Sequence, residues 1–105
     1  MPYRVSISEV ALRQLDALSA RERSIVESGI AQRLFSQPAL ITKAIKHLRP
    51  NPFAAFELRI GDFRMLYNVD EGIAGVTILL VGLKVGDKLI VEGEEFHGDE
   101  SHPAP

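Results

Sequence analysis

The spacing of apolar residues in the N-terminal part of the chain predicts a strand followed by a helix. Residues 3–7, YRVSI, alternate between apolar and polar side chains, which is typical of a strand. Ser8 is a residue type that caps helix N-termini. The apolar residues after it recur at three- and four-residue spacing, namely Ala11, Leu12, Leu15 and Leu18. This spacing predicts a helix with one apolar face.

A second helix is predicted to follow directly. Ser19 and Glu22 have the spacing of a capping box, in which each side chain accepts a hydrogen bond from the other residue's free amide. The inward stripe of this helix includes Val26, Ile30 and Leu34. Gly29 weakens a helix by about 1 kcal/mol relative to alanine, so we expect close packing at this position. Pro38 ends the helix.

Residues 39–52 fit two local structures. The apolar residues Ile41, Ile45 and Leu48 have the spacing of a short helix. Pro50 and Pro52 instead favour an extended exit from the segment. Both interpretations remain open at this point.

Residues 56–72, FELRIGDFRMLYNVDEG, predict two strands joined by a tight turn at Gly61-Asp62. A leading glycine in a two-residue loop favours a type II′ turn. The resulting register pairs Ile60 with Phe63, Leu58 with Met65 and Phe56 with Tyr67, all on an apolar face. The opposite face then carries Glu57, Arg59, Arg64, Leu66 and Asn68.

Arg59 and Arg64 face each other in this register, and like charges in that arrangement repel. An anion between the two guanidiniums, either a protein carboxylate or a phosphate-bearing ligand, removes the repulsion. One interpretation is a surface charge cluster in which Glu57 pairs with Arg59. In the same cluster Asp62 pairs with Arg64. The other interpretation is a phosphate-binding site.

The rest of the chain predicts further strands and a polar end. Residues 76–84, VTILLVGLK, form a continuous apolar run typical of a central strand. VGDKLIVEG, which follows, predicts another small hairpin or strand, and the final HGDESHPAP has a disordered composition. Together the elements predict an α+β fold, a helical hairpin packed on an antiparallel sheet of about four strands in the order β-α-α-β-β-β.

Charge divides the chain into two parts. The whole sequence has 12 Lys and Arg against 14 Asp and Glu, a net charge of −2, whereas nucleic-acid-binding domains are usually basic. Residues 1–91, however, hold 12 basic and 9 acidic side chains, a net charge of +3. We therefore predict a mildly basic single domain over residues 1–91 and an acidic C-terminal tail over residues 92–105.

Other features of composition exclude several classes of site. There is no cysteine, so disulfides and thiolate chemistry are excluded, and a reducing compartment fits. His47, His97 and His102 lack metal-ligand spacing, and we expect neither a metal site nor a cofactor. No apolar run approaches the roughly 20 residues of a membrane span, and the N-terminus lacks a signal-peptide core. We expect a cytoplasmic protein with no membrane partner.

The order of these segments is similar to that of a known family. YRVSISEVALRQLDAL, a second helix near a proline, AIKHLRP, FELRIGDFRMLYNVD and VTILLVGLK follow one another along the chain. Over residues 3–84 this series resembles the RelE/ParE superfamily of bacterial toxin–antitoxin toxins, most specifically in ELRIGDFRMLYNVD and VGLK. The resemblance implies a partner antitoxin. It also implies a target, which is the ribosome and its mRNA for RelE-type members or DNA gyrase for ParE-type members.

For the nuclease type, the resemblance implies a metal-independent endoribonuclease in which the RNA 2′-hydroxyl attacks the adjacent phosphate. Such chemistry needs a general base, cationic stabilisation and a general acid. Arg64 corresponds to the arginine of the family's third strand, and Lys84 to an arginine near the end of its fourth strand. Arg59 faces Arg64 and completes a candidate phosphate cradle.

The chain also departs from the RelE pattern. Ala55 and Glu57 stand where RelE carries two lysines, and the C-terminal tyrosine of that family has no evident equivalent. Glu57 is a candidate general base, although its charge repels a phosphate, and His47 is the other candidate proton carrier. These departures support an alternative, a non-catalytic protein of the same fold that acts by binding a protein partner, either as an inhibitor of gyrase or as a stand-alone interaction module.

The acidic tail permits two arrangements. As a flexible segment it lowers the affinity of the basic face for polyanions by electrostatic competition. Alternatively Glu94, Glu95 and Phe96 dock as a short ordered segment, with the phenylalanine as the anchor.

Overall fold

Two helices pack on one face of a seven-stranded sheet in the computed structural model, which describes residues 2–96. In chain order the elements are β1 (Arg4–Ile7), α1 (Glu9–Asp16), α2 (Ala20–Leu34), β2 (Ile45–His47), β3 (Phe56–Ile60), β4 (Phe63–Asp70), β5 (Gly75–Val85), β6 (Lys88–Val91) and β7 (Glu94–Glu95). The predicted α+β class, a helical hairpin on a largely antiparallel sheet, is confirmed.

The strand order is β2-β3-β4-β5-β6-β7, and β1 pairs with β5. The sheet therefore has more strands than the sequence predicted. The β1–β5 pair is parallel, while the other pairs are antiparallel. Parallel pairing is possible here because the two helices carry the chain away from β1 over a long connection, which a tight turn cannot do.

The predicted N-terminal caps and inward faces of the helices are confirmed, except that one residue predicted to be buried on α1 is exposed and a polar residue is buried instead. Ser8 Oγ accepts a hydrogen bond from the Ala11 amide at 3.1 Å, and Ser19 and Glu22 form the predicted capping box. The inward stripe of α2 is buried. On α1, however, Leu12 is exposed and Gln14 is buried, since the Gln14 side chain hydrogen-bonds to the sheet.

Gly29 lies where α2 crosses the β3–β4 hairpin. A methyl group on Gly29 would lie 2.2 Å from Cδ1 and 2.7 Å from Cγ1 of Ile60, closer than carbon atoms can approach. The close packing that the sequence predicted at this glycine is therefore confirmed.

Residues 39–52 contain a three-residue strand, β2 (Ile45–His47), within otherwise irregular backbone, and not the short helix that was one of the two interpretations. The Thr42 hydroxyl accepts hydrogen bonds from the amides of Ala44 and Ile45, so the chain turns into β2. Ile45 is buried opposite Leu58 of β3. The helical spacing of the apolar residues is thus overridden by strand pairing.

The apolar face of the hairpin forms the core against the helices. The register is the one predicted, with Arg59 opposite Arg64 and Gly61 at a φ of +57°. Tyr67 is fully buried, and its hydroxyl donates a 2.5 Å hydrogen bond to the carbonyl of Pro38. Burial raises the pKa of this phenol, which keeps it a neutral donor.

The sheet continues beyond the predicted boundary at residue 91. Glu94 and Glu95 form β7 against β6, and the Phe96 amide donates to the Leu89 carbonyl at 2.8 Å. The docked arrangement predicted as one alternative is therefore the one found for residues 94–96. The division of the chain at residue 91 stays a prediction, and the rest of the predicted tail, residues 97–105, lies outside the described residues. Within residues 2–96, neither helix is long and apolar enough to cross a membrane.

Candidate functional site

The face of the sheet opposite the helices is concave and contains a cavity of about 290 Å³. Its floor is made by β3, β4 and the end of β5, and it carries all four predicted site residues, Glu57, Arg59, Arg64 and Lys84. The alternation of the hairpin is the reason: its apolar side chains fill the core, so the charged ones point into the cavity. The structure brings the four together, while their roles stay predictions.

Arg64 lies at the floor of the cavity with only 9% of its surface exposed. Its Nη1 donates hydrogen bonds to the carbonyl oxygens of Gly61, at 2.8 Å, and Phe63, at 2.9 Å. Among residues 2–96 no acceptor bonds the other N–H groups of Arg64, and no carboxylate forms an ion pair with it. A buried charged donor without an acceptor is costly, so this guanidinium is suited to an anion entering the cavity.

Arg59, across the strand pair, has a different environment. Its Nε donates to Glu57 Oε1 at 3.1 Å, and its side chain is 41% exposed, against 15% for Glu57. The predicted pairing of Glu57 with Arg59 is therefore confirmed. The predicted pairing of Asp62 with Arg64 is wrong, because the turn carbonyls take the place of a carboxylate.

Lys84 reaches the floor because β5 is tied to the hairpin turn. The Lys84 amide donates to the Asp62 carbonyl at 2.7 Å. Gly82 lies on the same face and pairs with Arg64. A methyl group on Gly82 would lie 2.8 Å from the Ile90 carbonyl oxygen, so this position must be glycine for β6 to curl over the sheet.

The rim adds charges that the sequence did not single out. Five cationic side chains line the cavity, namely Lys46, Arg59, Arg64, Lys84 and Lys88. Three carboxylates line it as well, namely Glu57, Asp87 and Glu95. Lys88 and Glu95 are 3.8 Å apart on neighbouring strands. The excess of cations makes the cavity a candidate site for an anionic ligand.

The loop before β3 forms one side of the rim and is held by two asparagines. Asn51 Oδ1 accepts from the amides of Phe53, at 2.8 Å, and Ala54, at 3.1 Å. Its Nδ2 donates to the carbonyls of Arg49 and Ala54. Asn68 of β4 donates to the Phe53 carbonyl at 3.2 Å and accepts from the Ala55 amide at 2.7 Å. These bonds fix the backbone on which Phe53 stands.

The hairpin of β6 and β7 forms the other side of the rim, and it is anchored both at its turn and at its C-terminal end. At its turn, Glu92 accepts from Gln14 Nε2 at 3.0 Å and from Arg13 at 3.4 Å. The hydrogen bond from Gln14, followed by that from Arg13, lowers the pKa of the Glu92 carboxyl. At its end, the rings of Phe96 and Phe53 meet edge to face, with centroids 5.4 Å apart. The two edges of the sheet thus meet over the cavity.

His47, the other predicted proton carrier, does not line this cavity. Its ring packs edge to face on Phe56, with centroids 5.0 Å apart, and it lines a smaller cavity of about 190 Å³ with Arg49. Strand alternation explains the difference, because Lys46 and His47 are neighbours on β2 and point to opposite faces. Over residues 2–96, no group of three or more His, Cys, Asp or Glu side chains is arranged to hold a metal ion.

The sequence matches no protein-family model and no curated protein, but solved structures are similar. A chain of the toxin–antitoxin complex RelBE2 from Mycobacterium tuberculosis is 30% identical, with a TM-score of 0.70 over 80% of this chain and 93% of that one. The isolated Escherichia coli RelE toxin is 25% identical, with a TM-score of 0.62 over 79% of this chain and 85% of that one.

A chain of the archaeal RelE–RelB complex from Pyrococcus horikoshii is 23% identical, with a TM-score of 0.64 over 77% of this chain and 93% of that one, and shows the shared fold. The mycobacterial chain is similar enough in sequence, and over enough of both chains, to show family membership as well as a shared fold. The chain therefore belongs to the RelE/ParE superfamily of toxin–antitoxin toxins.

Proposed function

We propose that this protein is the toxin of a type II toxin–antitoxin system and that it cleaves mRNA at the ribosome. The observation that supports cleavage is Arg64, a nearly buried guanidinium at the floor of a cationic cavity. Its Nη1 is fixed by the hairpin turn, and its remaining donors are open to a ligand. A phosphodiester is the anion of RNA that matches such a planar donor.

The floor residues supply the parts that cleavage of RNA by its own 2′-hydroxyl requires. Glu57 is the base that takes the proton of the 2′-hydroxyl. The 2′-oxygen then forms a bond to phosphorus while the bond from phosphorus to the 5′-oxygen breaks. Arg64 and Lys84 stabilise the negative charge that develops on the phosphoryl oxygens. The products are a 2′,3′-cyclic phosphate and a 5′-hydroxyl.

The leaving 5′-oxygen needs a proton, and the rim provides ammonium donors. Lys46 and Lys88 line the cavity on its two sides and are candidates for this general acid. Arg59 holds Glu57 at 3.1 Å, so it orients the base as well as adding positive charge beside it. The cations of the cavity outnumber its carboxylates, which offsets the repulsion between Glu57 and the phosphate.

We further propose a cognate antitoxin as the protein partner. The similar chains from Mycobacterium tuberculosis and Pyrococcus horikoshii come from complexes of a toxin with its antitoxin. An open reading frame beside the gene that encodes a small antitoxin-like protein is expected. Co-expression of that protein should abolish growth arrest, whereas an isolated gene would favour a non-catalytic, stand-alone protein of this fold that is not a toxin.

The test of cleavage is induced expression of wild type and of Arg64→Ala, with mRNA ends mapped by primer extension. Wild type should arrest growth and produce new 5′-hydroxyl ends within translated messages. Loss of one stabilising donor should lower the cleavage rate by about 10²- to 10³-fold and relieve the arrest. Arg21→Ala, which removes an exposed arginine from α2, is the matched control and should act as wild type. Normal growth with soluble, folded wild type would contradict the toxin proposal.

A second candidate is a non-catalytic toxin that inhibits a protein target such as DNA gyrase. The observation that favours it is the ion pair between Arg59 and Glu57. In this pair the arginine is not available to bind a phosphate, and the carboxylate is not available to act as the base. In that case Arg64→Ala would stay as toxic as wild type and no new mRNA ends would appear. Supercoiling by gyrase in the presence of the purified protein would then be inhibited.

A further inference from the structure

Phe53 stands at the junction of two cavities. It lines the large cavity together with Arg64 and the smaller one together with His47 and Arg49. Its side chain is 43% exposed. An aromatic ring at the rim of a cationic cavity is the arrangement by which proteins bind single-stranded RNA, with cations along the backbone and a base on the ring.

The backbone under this ring is held in place before any ligand binds. The Phe53 amide donates to Asn51 Oδ1 at 2.8 Å, and the Phe53 carbonyl accepts from Asn68 Nδ2 at 3.2 Å. Asn68 belongs to β4, the strand that carries Arg64. The backbone that carries the ring is therefore fixed relative to the cavity floor, and only the side-chain torsions of Phe53 remain to be ordered on binding.

The chain itself demonstrates that the Phe53 ring accepts an aromatic partner. The Phe96 ring meets it at a centroid separation of 5.4 Å and an interplanar angle of 72°. Phe96 follows the two-residue strand β7, and its backbone amide is bonded to the Leu89 carbonyl of β6, so its ring can leave Phe53 by a side-chain rotation while β7 stays paired. A planar purine base offers a larger π-surface than phenylalanine and is able to replace it.

We propose that Phe53 stacks a nucleobase of the RNA whose phosphate Arg64 binds, and that this base takes the place of the Phe96 ring. The inference rests on the proposed function, since it assigns a subsite next to the proposed phosphate site. It names a residue that selects single-stranded RNA, because a base inside a duplex cannot leave its stack to reach the ring.

The test measures binding of a 2′-O-methyl RNA tetranucleotide, which cannot be cleaved, by fluorescence anisotropy. A parallel set of oligonucleotides lacks one base at each position in turn but keeps every phosphate. For wild type, removal of the base that stacks on Phe53 should weaken binding by about 5- to 150-fold. Phe53→Leu should weaken binding of the complete RNA to a similar extent, and should have no further effect on the abasic RNA that lacks this base.

Two further variants sharpen the result. Phe53→Trp should keep the affinity of wild type, because tryptophan also stacks. Phe96→Leu should strengthen binding, since it removes the competing ring. Equal losses on complete and abasic RNA for Phe53→Leu, or weaker binding by Phe96→Leu, would overturn the inference. A folded wild type whose binding is indifferent to every abasic site would do the same without any variant.

Arg64→Ala separates this inference from the proposed function. This substitution should weaken the binding of complete and abasic RNA by the same factor, because it removes a contact with a phosphate that both RNAs have. If Arg64→Ala has no effect on either RNA, the phosphate site is wrong whatever Phe53 does. If Arg64→Ala weakens both while Phe53→Leu weakens neither, the proposed function stands and the stacking subsite does not.

Discussion

The floor of the cavity is a single hairpin whose paired residues are close in sequence, whereas its rim joins residues 46–53 to residues 87–96 across the whole sheet. The floor is backed by a buried core on its other face. The rim lies at the edges of the sheet, where strand pairing of β2, β6 and β7 is supplemented by hydrogen bonds from Gln14 and Asn51 and by the contact between the Phe53 and Phe96 rings. Segments with few buried contacts open at lower free-energy cost than core strands. On the proposed function, the residues that act on RNA therefore lie in the rigid part of the site, and the less rigid rim surrounds them.

The two arginines at the floor differ from each other in the same way, one being held rigidly and the other less so. Arg64 is held by backbone carbonyls and keeps donors for a ligand, while Arg59 is paired with a carboxylate and partly exposed. The Arg59 end of this pair is open to solvent, which screens the charge and makes Arg59 easier to draw toward another anion than a buried guanidinium. Arg64 is therefore the fixed element of the site and Arg59 the adaptable one.

The largest expected effect comes from the candidate base on the floor. Glu57→Gln should slow RNA cleavage by about 10²- to 10⁴-fold, because the amide cannot take the proton of the 2′-hydroxyl. Binding of non-cleavable RNA should be unchanged or stronger, since a negative charge leaves the cavity. Asp87→Asn removes another carboxylate from the same cavity and is the matched control. Equal cleavage by Glu57→Gln and Asp87→Asn would mean that Glu57 is not the base.

The contact between α2 and the floor hairpin gives the next effect. Gly29→Ala should lower the free energy of unfolding by about 1–3 kcal/mol, because the added methyl group overlaps Ile60. The helix propensity of alanine, worth about 1 kcal/mol, offsets part of this loss. Urea denaturation measures the change. Ile60→Val in the same chain should recover part of it, and purely additive effects of the two substitutions would contradict a direct clash.

An effect of similar size is expected at the hydrogen bond between Tyr67 of the hairpin and the segment that leads to the rim. Tyr67→Phe leaves the buried Pro38 carbonyl without its hydrogen bond and should cost about 1–3 kcal/mol, the lower end being expected if water reaches it. Tyr3→Phe, which removes an exposed hydroxyl bonded to Glu71, is the control. The same loss of stability in both variants would show that the Pro38 bond is not special.

The smallest effect concerns the anchor of the rim and depends on pH. The pKa of Glu92 is lowered in the folded protein. The ionised carboxylate therefore stabilises the fold fully at pH values above 4.5, the usual pKa of a glutamate. This contribution is lost as the pH falls below 4.5 and through the lower folded-state pKa. Protection factors of the amides at residues 88–96, which are corrected for the intrinsic exchange rate at each pH, should therefore fall in acid before those of β4. In Glu92→Gln the difference between the two regions should no longer change over this pH range.

The arrangement of the floor could be predicted from sequence because its residues lie in one hairpin and are close together along the chain. Alternation and a Gly-Asp turn set the register, and the register alone places Arg59, Arg64 and Glu57 on one face. The predicted partner of Arg64 was wrong because turn carbonyls compete with Asp62, and alternation carries no signal for that. Lys84 came from the family resemblance and lies at the same floor.

The rim could not be predicted because it depends on how the sheet curls. Lys46 lies on a strand that was hidden by the helical spacing of its apolar neighbours. Lys88 and Leu89 are consecutive on β6 and both line the cavity, which strand alternation alone does not predict. Two signals were available in the sequence. Gly82 inside an apolar strand indicates close backbone approach, and Asn51 between two prolines is typical of a side-chain-stabilised turn.

The most direct test of the central role of Arg64 is to observe its guanidinium while RNA binds. We expect that, in ¹⁵N NMR spectra of arginine side chains, a non-cleavable 2′-O-methyl trinucleotide shifts the Arg64 resonances and slows exchange of its N–H protons. Arg21, on the exposed face of α2, should show neither change at the same RNA concentration. Shifts of equal size at Arg21 and Arg64, or none at Arg64 when the protein is saturated with RNA, would contradict a phosphate-binding site at the floor of this cavity.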